Sequence, residues 1–154
     1  PEMPPGGNMR GYKKVMLAVD LTEESNHVAD VACSLASLYE AELHIVHVIE
    51  PISLAYGGDM PMDLSTVQEQ IQEQAKTHLS AFANKLGIHE DHQHLIFGRP
   101  EREIHQISEA QGADIIVVGS HGKHGLALLL GSTANGVLHG ADRDVLAVRI
   151  GGDS

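Results

Sequence analysis

A glycine-rich segment that ends in two hydroxyl residues carries the most distinctive chemistry in this sequence. It contains Gly119, Gly122, Gly125, Gly131, Ser132 and Thr133. Glycine permits positive φ angles and a close approach of the backbone to a ligand. Free N–H groups at the start of a helix attract anions, and the two hydroxyls add hydrogen-bond donors. The segment therefore predicts a cradle for phosphate groups; glycines that serve only the turns are the alternative.

Asp20 is a second candidate for a ligand contact. It directly follows the apolar run Lys13–Val19, which reads as a buried strand, and it precedes a predicted helix. A side chain at the carboxyl end of a parallel strand is well placed to meet a ligand. The alternative is an acid that stabilises the start of the following helix, where the helix dipole favours negative charge.

Several histidines lie close enough in sequence to suggest a metal site. His89, His92 and His94 are interspersed with two carboxylates, a combination that suits transition metals. The segment joins a helix to a strand, however, and we predict a solvated loop there. His44 and His47 face opposite sides of a strand, so they cannot share one metal ion. We therefore predict no metal site.

Short runs rich in Val and Ile alternate with amphipathic segments along the chain. The predicted strands are Lys13–Val19, Ala41–Ile49, His92–Phe97, Asp114–Val118 and Asp144–Ile150. Helices are predicted between them, with Thr22 as the N-cap of the first, Pro100 in the first turn of the third, and Ser132–His139 as the fourth. This alternation is typical of a single α/β domain, an open parallel five-stranded sheet with helices on both faces. With strands ordered 3-2-1-4-5, a ligand would bind between the ends of strands one and four.

Composition and charge exclude several classes of protein. The chain has 154 residues, and we assign residues 9–151 to one domain and residues 1–8 to a disordered leader or tag remnant. The formal net charge of −11 repels phosphate backbones and anionic lipids, so we expect no binding to nucleic acid or membranes. The single cysteine, Cys33, excludes an internal disulfide framework. A cytoplasmic location fits these features.

The glycine-rich segment resembles the signature of the universal stress protein family, G-x2-G-x9-G-[ST]. In this chain the motif reads Gly119-x2-Gly122-x8-Gly131-Ser132, within the stretches DIIVVGSHGKHG and LLLGSTANGVL. The similarity extends over Met9–Ile150. It includes Ala18–Asp20 after strand one, HVIE after strand two and Gly98–Pro100 after strand three. The resemblance implies the adenine nucleotide alpha-hydrolase-like fold.

The same resemblance implies a site for ATP, with or without Mg²⁺. In that site Asp20 would bind the ribose hydroxyls, Val48 would lie near the adenine, and Val118 would pack near the adenosine. The implied nucleotide-binding residues are Ala18, Val19, Asp20, Val48, Val118, Gly119, His121, Gly122, Gly131, Ser132 and Thr133. The family also implies a homodimer through strand Asp144–Ile150, which would cover an apolar edge strand.

These features favour a stress-response or signalling module in which ATP is a ligand and not a substrate, because no catalytic set is recognisable beside the predicted cradle. Two alternatives stay open. A slow ATPase or autophosphorylating protein would use Ser132 or Thr133 as the acceptor, with a histidine of the glycine-rich segment carrying the proton. A nucleotide-free dimeric module is the second alternative, because eight residues separate Gly122 from Gly131 where the family motif has nine.

Overall fold

The structure, a computed structural model of the chain, describes residues 11–51, 64–120, 136–137 and 142–149. Five strands lie in these ranges: β1 (Lys14–Ala18), β2 (Glu42–Ile49), β3 (Gln93–Phe97), β4 (Ile115–Gly119) and β5 (Asp144–Val148). The helices there are α1 (Ser25–Tyr39), α2 (Leu64–Lys85) and α3 (Pro100–Gln111). A 3-10 turn, Glu90–His92, leads directly into β3. Gly136 and Val137, the two described residues of the predicted fourth helix, are helical.

The five strands form one parallel sheet in the order β3-β2-β1-β4-β5, which confirms the predicted fold class and strand order. β1 lies in the middle, and Val15 is in register with Leu43 on one side and Ile115 on the other. The chain places β2 and β3 on one side of β1 and then returns to place β4 and β5 on the other side, so the strand order reverses between β1 and β4. Ligands of open α/β sheets usually bind at such a switch point, beside the carboxyl ends of the strands.

Alternate side chains of the sheet enter two separate apolar cores. From β1, Val15 and Leu17 face the core that α1 and α2 cover, whereas Met16 faces the core that contains Ile104 of α3 and Val137. The three β1 side chains are fully buried. Burial on both faces explains why the strands appear in the sequence as continuous apolar runs.

The start of α1 differs from the prediction. The sequence predicts Thr22 as the N-cap, but α1 begins at Ser25 and its N-cap is Glu24, whose side chain makes no capping hydrogen bond. The hydroxyl of Thr22 instead donates to Oδ1 of Asp20 over 2.8 Å. A carboxylate is a strong acceptor, so it engages the hydroxyl that would otherwise cap the helix.

The start of α3 agrees with the prediction. Pro100 is its first residue, and Gly112 follows its last turn in the left-handed conformation, with φ of 73°. In the part of the chain that the structure describes, no helix is both long and apolar enough to cross a membrane.

Candidate functional site

The turn after β1 is organised around the carboxylate of Asp20. Its Oδ1 atom accepts hydrogen bonds from the N–H of Thr22 (3.1 Å), the hydroxyl of Thr22 (2.8 Å) and the hydroxyl of Ser25 (3.0 Å). Ser25 is buried, at 2% exposure, whereas Asp20 is exposed. These bonds hold the carboxylate in one orientation, and none of them uses Oδ2. The second oxygen can therefore accept a hydrogen bond from a ligand without disturbing the turn.

Leu21 adopts a backbone conformation that is unusual for leucine. Its φ angle is 62°, in the left-handed region that glycine and asparagine occupy most readily. A conformation of this kind costs about 1–3 kcal/mol. The hydrogen bond from the N–H of Thr22 to Asp20 spans Leu21 and offsets part of that cost. Strained residues of this kind cluster at functional sites.

His47 holds the last peptide of β1, a role that was not predicted. Its Nδ1 lies 2.8 Å from the carbonyl oxygen of Val19, so Nδ1 carries the proton and donates it. The N–H of Val19 donates to the carbonyl of Val46 over 3.0 Å and extends the β1–β2 ladder. The side chain of Val19 is buried, so this residue positions Asp20 through its backbone. The only signal in the sequence was a polar residue inside an apolar strand.

Three of the predicted adenosine contacts share one face of the sheet. Val118 is buried in the core beneath α3, and Ala18 and Val48 pack against that same core. They come from three adjacent strands, in the order β2, β1 and β4. The structure therefore brings these three side chains together at one apolar core, near the carboxyl ends of the strands.

Gly119 ends β4 beside the β1 turn. It is in register with Val148 of β5, and the N–H of Ser120 donates to the carbonyl of Val148 over 2.7 Å. The sheet ladder thus continues to the first residue of the predicted phosphate cradle. The remaining predicted ligand residues lie outside the described residues; they are His121, Gly122, Gly131, Ser132 and Thr133.

Gly98 follows β3 at a position with no room for a side chain. A Cβ atom there would lie 2.6 Å from Cγ of Glu103, and the φ of 151° is one that other residues rarely adopt. The N–H of Gly98 donates to the carbonyl of Ile49 over 2.9 Å, which ties this loop to the end of β2. The glycine therefore lets the chain turn from the sheet edge into α3.

A second group of polar side chains lies at the opposite end of the sheet. Nδ1 of His44, on β2, lies 3.0 Å from Nε2 of His94, on β3. Oε2 of Glu42 lies 2.8 Å from Nε2 of His44 and 3.0 Å from Nε2 of His92. The rings of His44 and His92 stack with their centroids 4.1 Å apart. We call Glu42, His44, His92 and His94 the imidazole cluster.

The imidazole cluster shows that the predicted solvated loop is wrong for His92 and His94, whereas it is confirmed for His89, whose side chain is 68% exposed. His94 lies inside β3 and is half-buried, and the side chain of His92 is 32% exposed. The prediction failed because it considered these histidines without a partner on the neighbouring strand. His94 is in register with Val46, so it shares a face with His44, two residues earlier on β2.

Burial and hydrogen bonding set the protonation of the imidazole cluster. Loss of solvent lowers the pKa of His94 to about 4, and the positive charge that His44 would carry adds to this shift. Desolvation also lowers the pKa of His44, against the opposing effect of its hydrogen bond with Glu42. That hydrogen bond lowers the pKa of the Glu42 carboxyl. Near neutral pH, His44 and His94 are therefore neutral and Glu42 is ionised.

Comparison with known proteins shows one consistent similarity. The model of the universal stress protein family matches residues 11–149. Universal stress protein A homolog 2 of Coxiella burnetii is 40% identical over 148 residues, which are 94% of this chain and 99% of that protein. The solved structure of protein MJ0577 aligns with a TM-score of 0.76 at 27% identity, over 92% of this chain and 99% of that one. A universal stress protein in complex with cAMP shares the fold, with a TM-score of 0.60 at 23% identity over 91% of this chain and 98% of that one.

Proposed function

The chain belongs to the universal stress protein family, and we propose that it binds an adenine nucleotide, ATP with or without Mg²⁺, beside the carboxyl ends of β1 and β4. The observation that carries this proposal is the geometry of Asp20. Its carboxylate is exposed at the switch point and is held by three hydrogen bonds through Oδ1, which leaves Oδ2 to a ligand. An acidic residue that binds ribose hydroxyls is a recurrent feature of nucleotide sites in α/β sheets.

The neighbouring residues suit the rest of such a ligand. Ala18 and Val48, which are only partly buried, would offer apolar contacts to the adenosine with Val118 behind them in the core, and Gly119 leads from β4 into the segment that would hold the phosphates. The net charge of −11 repels ATP at long range, so backbone N–H groups and hydroxyls of Gly119–Thr133 would have to supply the attraction locally. The fold itself accommodates an adenine nucleotide in the cAMP complex of another universal stress protein.

In this proposal the nucleotide is a ligand that biases conformation or partner choice during a stress response. Two chains would pair through β5, because it lies at one edge of the sheet that the described strands form, and an edge strand can pair with its twin in a second chain. The proposed location is the cytoplasm, where the thiol of Cys33 would stay reduced.

Calorimetric titration of the purified protein with ATP, and separately with AMP, tests this proposal. Asp20→Asn should lower the affinity for both nucleotides about 10- to 100-fold, because a hydrogen bond to a charged group contributes about 1.5–3 kcal/mol. The amide oxygen keeps an acceptor for the Thr22 and Ser25 bonds. Asp30→Asn is the matched control, since it removes a carboxylate from the exposed side of α1 and should leave both affinities unchanged.

Two further measurements separate the alternatives. No nucleotide extracted from the purified protein, together with no heat at millimolar ATP, would overturn the proposal and favour a nucleotide-free dimeric module. Steady hydrolysis of labelled ATP, or transfer of label to the protein that Ser132→Ala or Thr133→Ala abolishes, would favour an enzyme instead.

A further inference from the structure

The imidazole cluster lies at the amino ends of β2 and β3, at the opposite end of the sheet from Asp20. Glu42, His44 and His92 each offer one ligand atom, and the three atoms lie within 4.8 Å of one another. We propose that these three side chains bind a divalent transition-metal ion, with Zn²⁺ as the best match, and that His94 positions His44 for the metal. This inference does not depend on the proposed nucleotide site.

The ligand atoms have the chemistry and almost the spacing that zinc requires. Imidazole nitrogen and carboxylate oxygen are common zinc ligands, and open zinc sites use three protein ligands with water in the fourth position. With bonds of about 2.0–2.2 Å, tetrahedral ligand atoms lie roughly 3.4 Å apart. Oε2 of Glu42 lies 2.8 Å from Nε2 of His44 and 3.0 Å from Nε2 of His92. An outward shift of roughly half an ångström would therefore admit the ion.

His92 is the side chain that must turn to complete the site. Its ring stacks on His44 with 21° between the ring planes. Two imidazole rings that bind one metal ion must point their in-plane lone pairs at that ion, and nearly parallel stacked rings do not. His92 ends the 3-10 turn and is 32% exposed, so its ring has room to rotate. His44 is 2% exposed and is held between Glu42 and His94. The buried ligand thus anchors the site and the exposed ligand closes on the ion.

His94 supplies the partner that a metal-binding histidine usually has on its other ring nitrogen. Without metal, the short contact with Glu42 places a proton on Nε2 of His44, and its Nδ1 accepts from Nε2 of His94. When a metal ion binds Nε2 of His44, the proton of the His44 ring is carried by Nδ1 instead. Nδ1 then donates a hydrogen bond to Nε2 of His94, and the proton of the His94 ring is carried by its own Nδ1. Both rings stay neutral and the number of protons is unchanged.

The remaining coordination position faces solvent. Glu42, His89 and His92 line a surface cavity of about 350 Å³, which is wide enough for water molecules. His89 is 68% exposed and can reach into the same space. Water or His89 would therefore complete the coordination, and the negative net charge of the protein favours the approach of a cation.

A Co²⁺ titration of the intact protein, after removal of metals with EDTA, tests the proposal. Tetrahedral Co²⁺ absorbs visible light strongly, whereas hydrated octahedral Co²⁺ absorbs weakly. We expect one tight site per chain, and we expect Zn²⁺ to abolish the absorption by displacing Co²⁺. His92→Gln and Glu42→Gln should each weaken binding at least about tenfold. Both replace partly exposed side chains, and thermal unfolding in EDTA checks that the variants fold.

Matched variants distinguish this site from binding by the eight histidines outside the imidazole cluster, since the chain has eleven in all and the cluster contains three (11 − 3 = 8). His78→Gln removes an exposed imidazole from α2 and should leave affinity and stoichiometry unchanged. His94→Gln keeps all three ligands and should weaken binding about 10- to 100-fold at unchanged stoichiometry. A tight site that survives both His92→Gln and Glu42→Gln would overturn the proposal, as would the absence of a tight site in the unmodified protein.

Discussion

The two ends of the sheet hold their polar side chains in different ways. At the carboxyl ends, one carboxylate is oriented by the backbone and hydroxyls of a single turn, all within five residues of Asp20. At the amino ends, large side chains from β2 and from the segment entering β3 orient one another across about fifty residues of sequence. The residues of the turn are neighbours in sequence, whereas those of the cross-strand cluster are brought together only by the register of the strands. Variants can be chosen that disturb both ends or only one.

The largest effect should come from a residue midway between the ends. Met16 is fully buried in β1, and Met16→Ala should lower the free energy of unfolding by about 2–5 kcal/mol because it leaves a cavity. Both ends of the sheet should be destabilised together, because β1 contributes to the core that lies beneath each end. Urea denaturation measures the effect, and Met16→Leu, which nearly conserves volume, should cost less than about 1.5 kcal/mol. A cost below 1 kcal/mol for the alanine variant would contradict a shared core.

Acidification should destabilise the amino end specifically. The pKa of His94 is about 4 in the folded protein and 6.5 when unperturbed. Between these values the unfolded chain binds more protons, so the free energy of unfolding should fall as pH drops from about 6.5 to about 4. Allowing for the partial exposure of the ring, we expect a loss of about 1–2 kcal/mol. Urea denaturation in EDTA at several pH values measures how the free energy of unfolding depends on pH, and His94→Gln should reduce that dependence. If the dependence is unchanged in the variant, the loss of stability comes from other groups.

A change in the turn after β1 should loosen the carboxyl end alone. Ser25→Ala removes a buried hydroxyl that donates to Asp20, and it should lower the free energy of unfolding by about 1 kcal/mol. Co²⁺ binding at the other end should not change. Ser34→Ala, at an exposed position of α1, is the control and should cost nothing. Loss of Co²⁺ binding in Ser25→Ala would show that the ends are coupled.

The smallest effect is expected at Thr22. Thr22→Val removes the hydroxyl but keeps the N–H that bonds to Asp20, so it should cost about 0.5 kcal/mol, or about 1–2 °C in Tm. Thr22→Ser keeps the hydroxyl and should match the parent protein. Differential scanning calorimetry resolves shifts of this size. A loss of stability equal to that of Ser25→Ala would contradict the prediction that the Thr22 hydroxyl contributes less than the buried Ser25 hydroxyl.

The strands and their order could be predicted because burial on both faces leaves a clear pattern. The predicted runs Lys13–Val19 and Asp114–Val118 match β1 and β4 to within one residue at each end. Strand order then placed Asp20 at the switch point. The turn itself was harder to predict: Thr22 has the residue type of an N-cap, but a carboxylate two residues earlier engages its hydroxyl.

The imidazole cluster could not be predicted because side-chain alternation gives only the face of a strand. It places His44 and His94 on a face of their own strands, but it does not say which residues lie opposite each other. That register is set by packing along the whole β2–β3 pair, in which Ile45 lies opposite Gln93 and Ile49 opposite Phe97. His47 was missed for a related reason, since its partner is a carbonyl of the neighbouring strand and leaves no trace in sequence.

The pairing of β1 with β4 has a consequence for how the chain is made. Val15 of β1 lies in register with Ile115 of β4, one hundred residues later, so the switch point between these strands cannot close until β4 has been synthesised. The strands of the imidazole cluster are complete at Phe97, whereas β4 ends at Gly119, 22 residues further on (119 − 97). At about 5–20 residues per second, this delay is roughly one to four seconds. On a growing chain, the amino end of the β2–β3 pair can therefore assemble first, whereas the proposed nucleotide site can form only after β4 has been added.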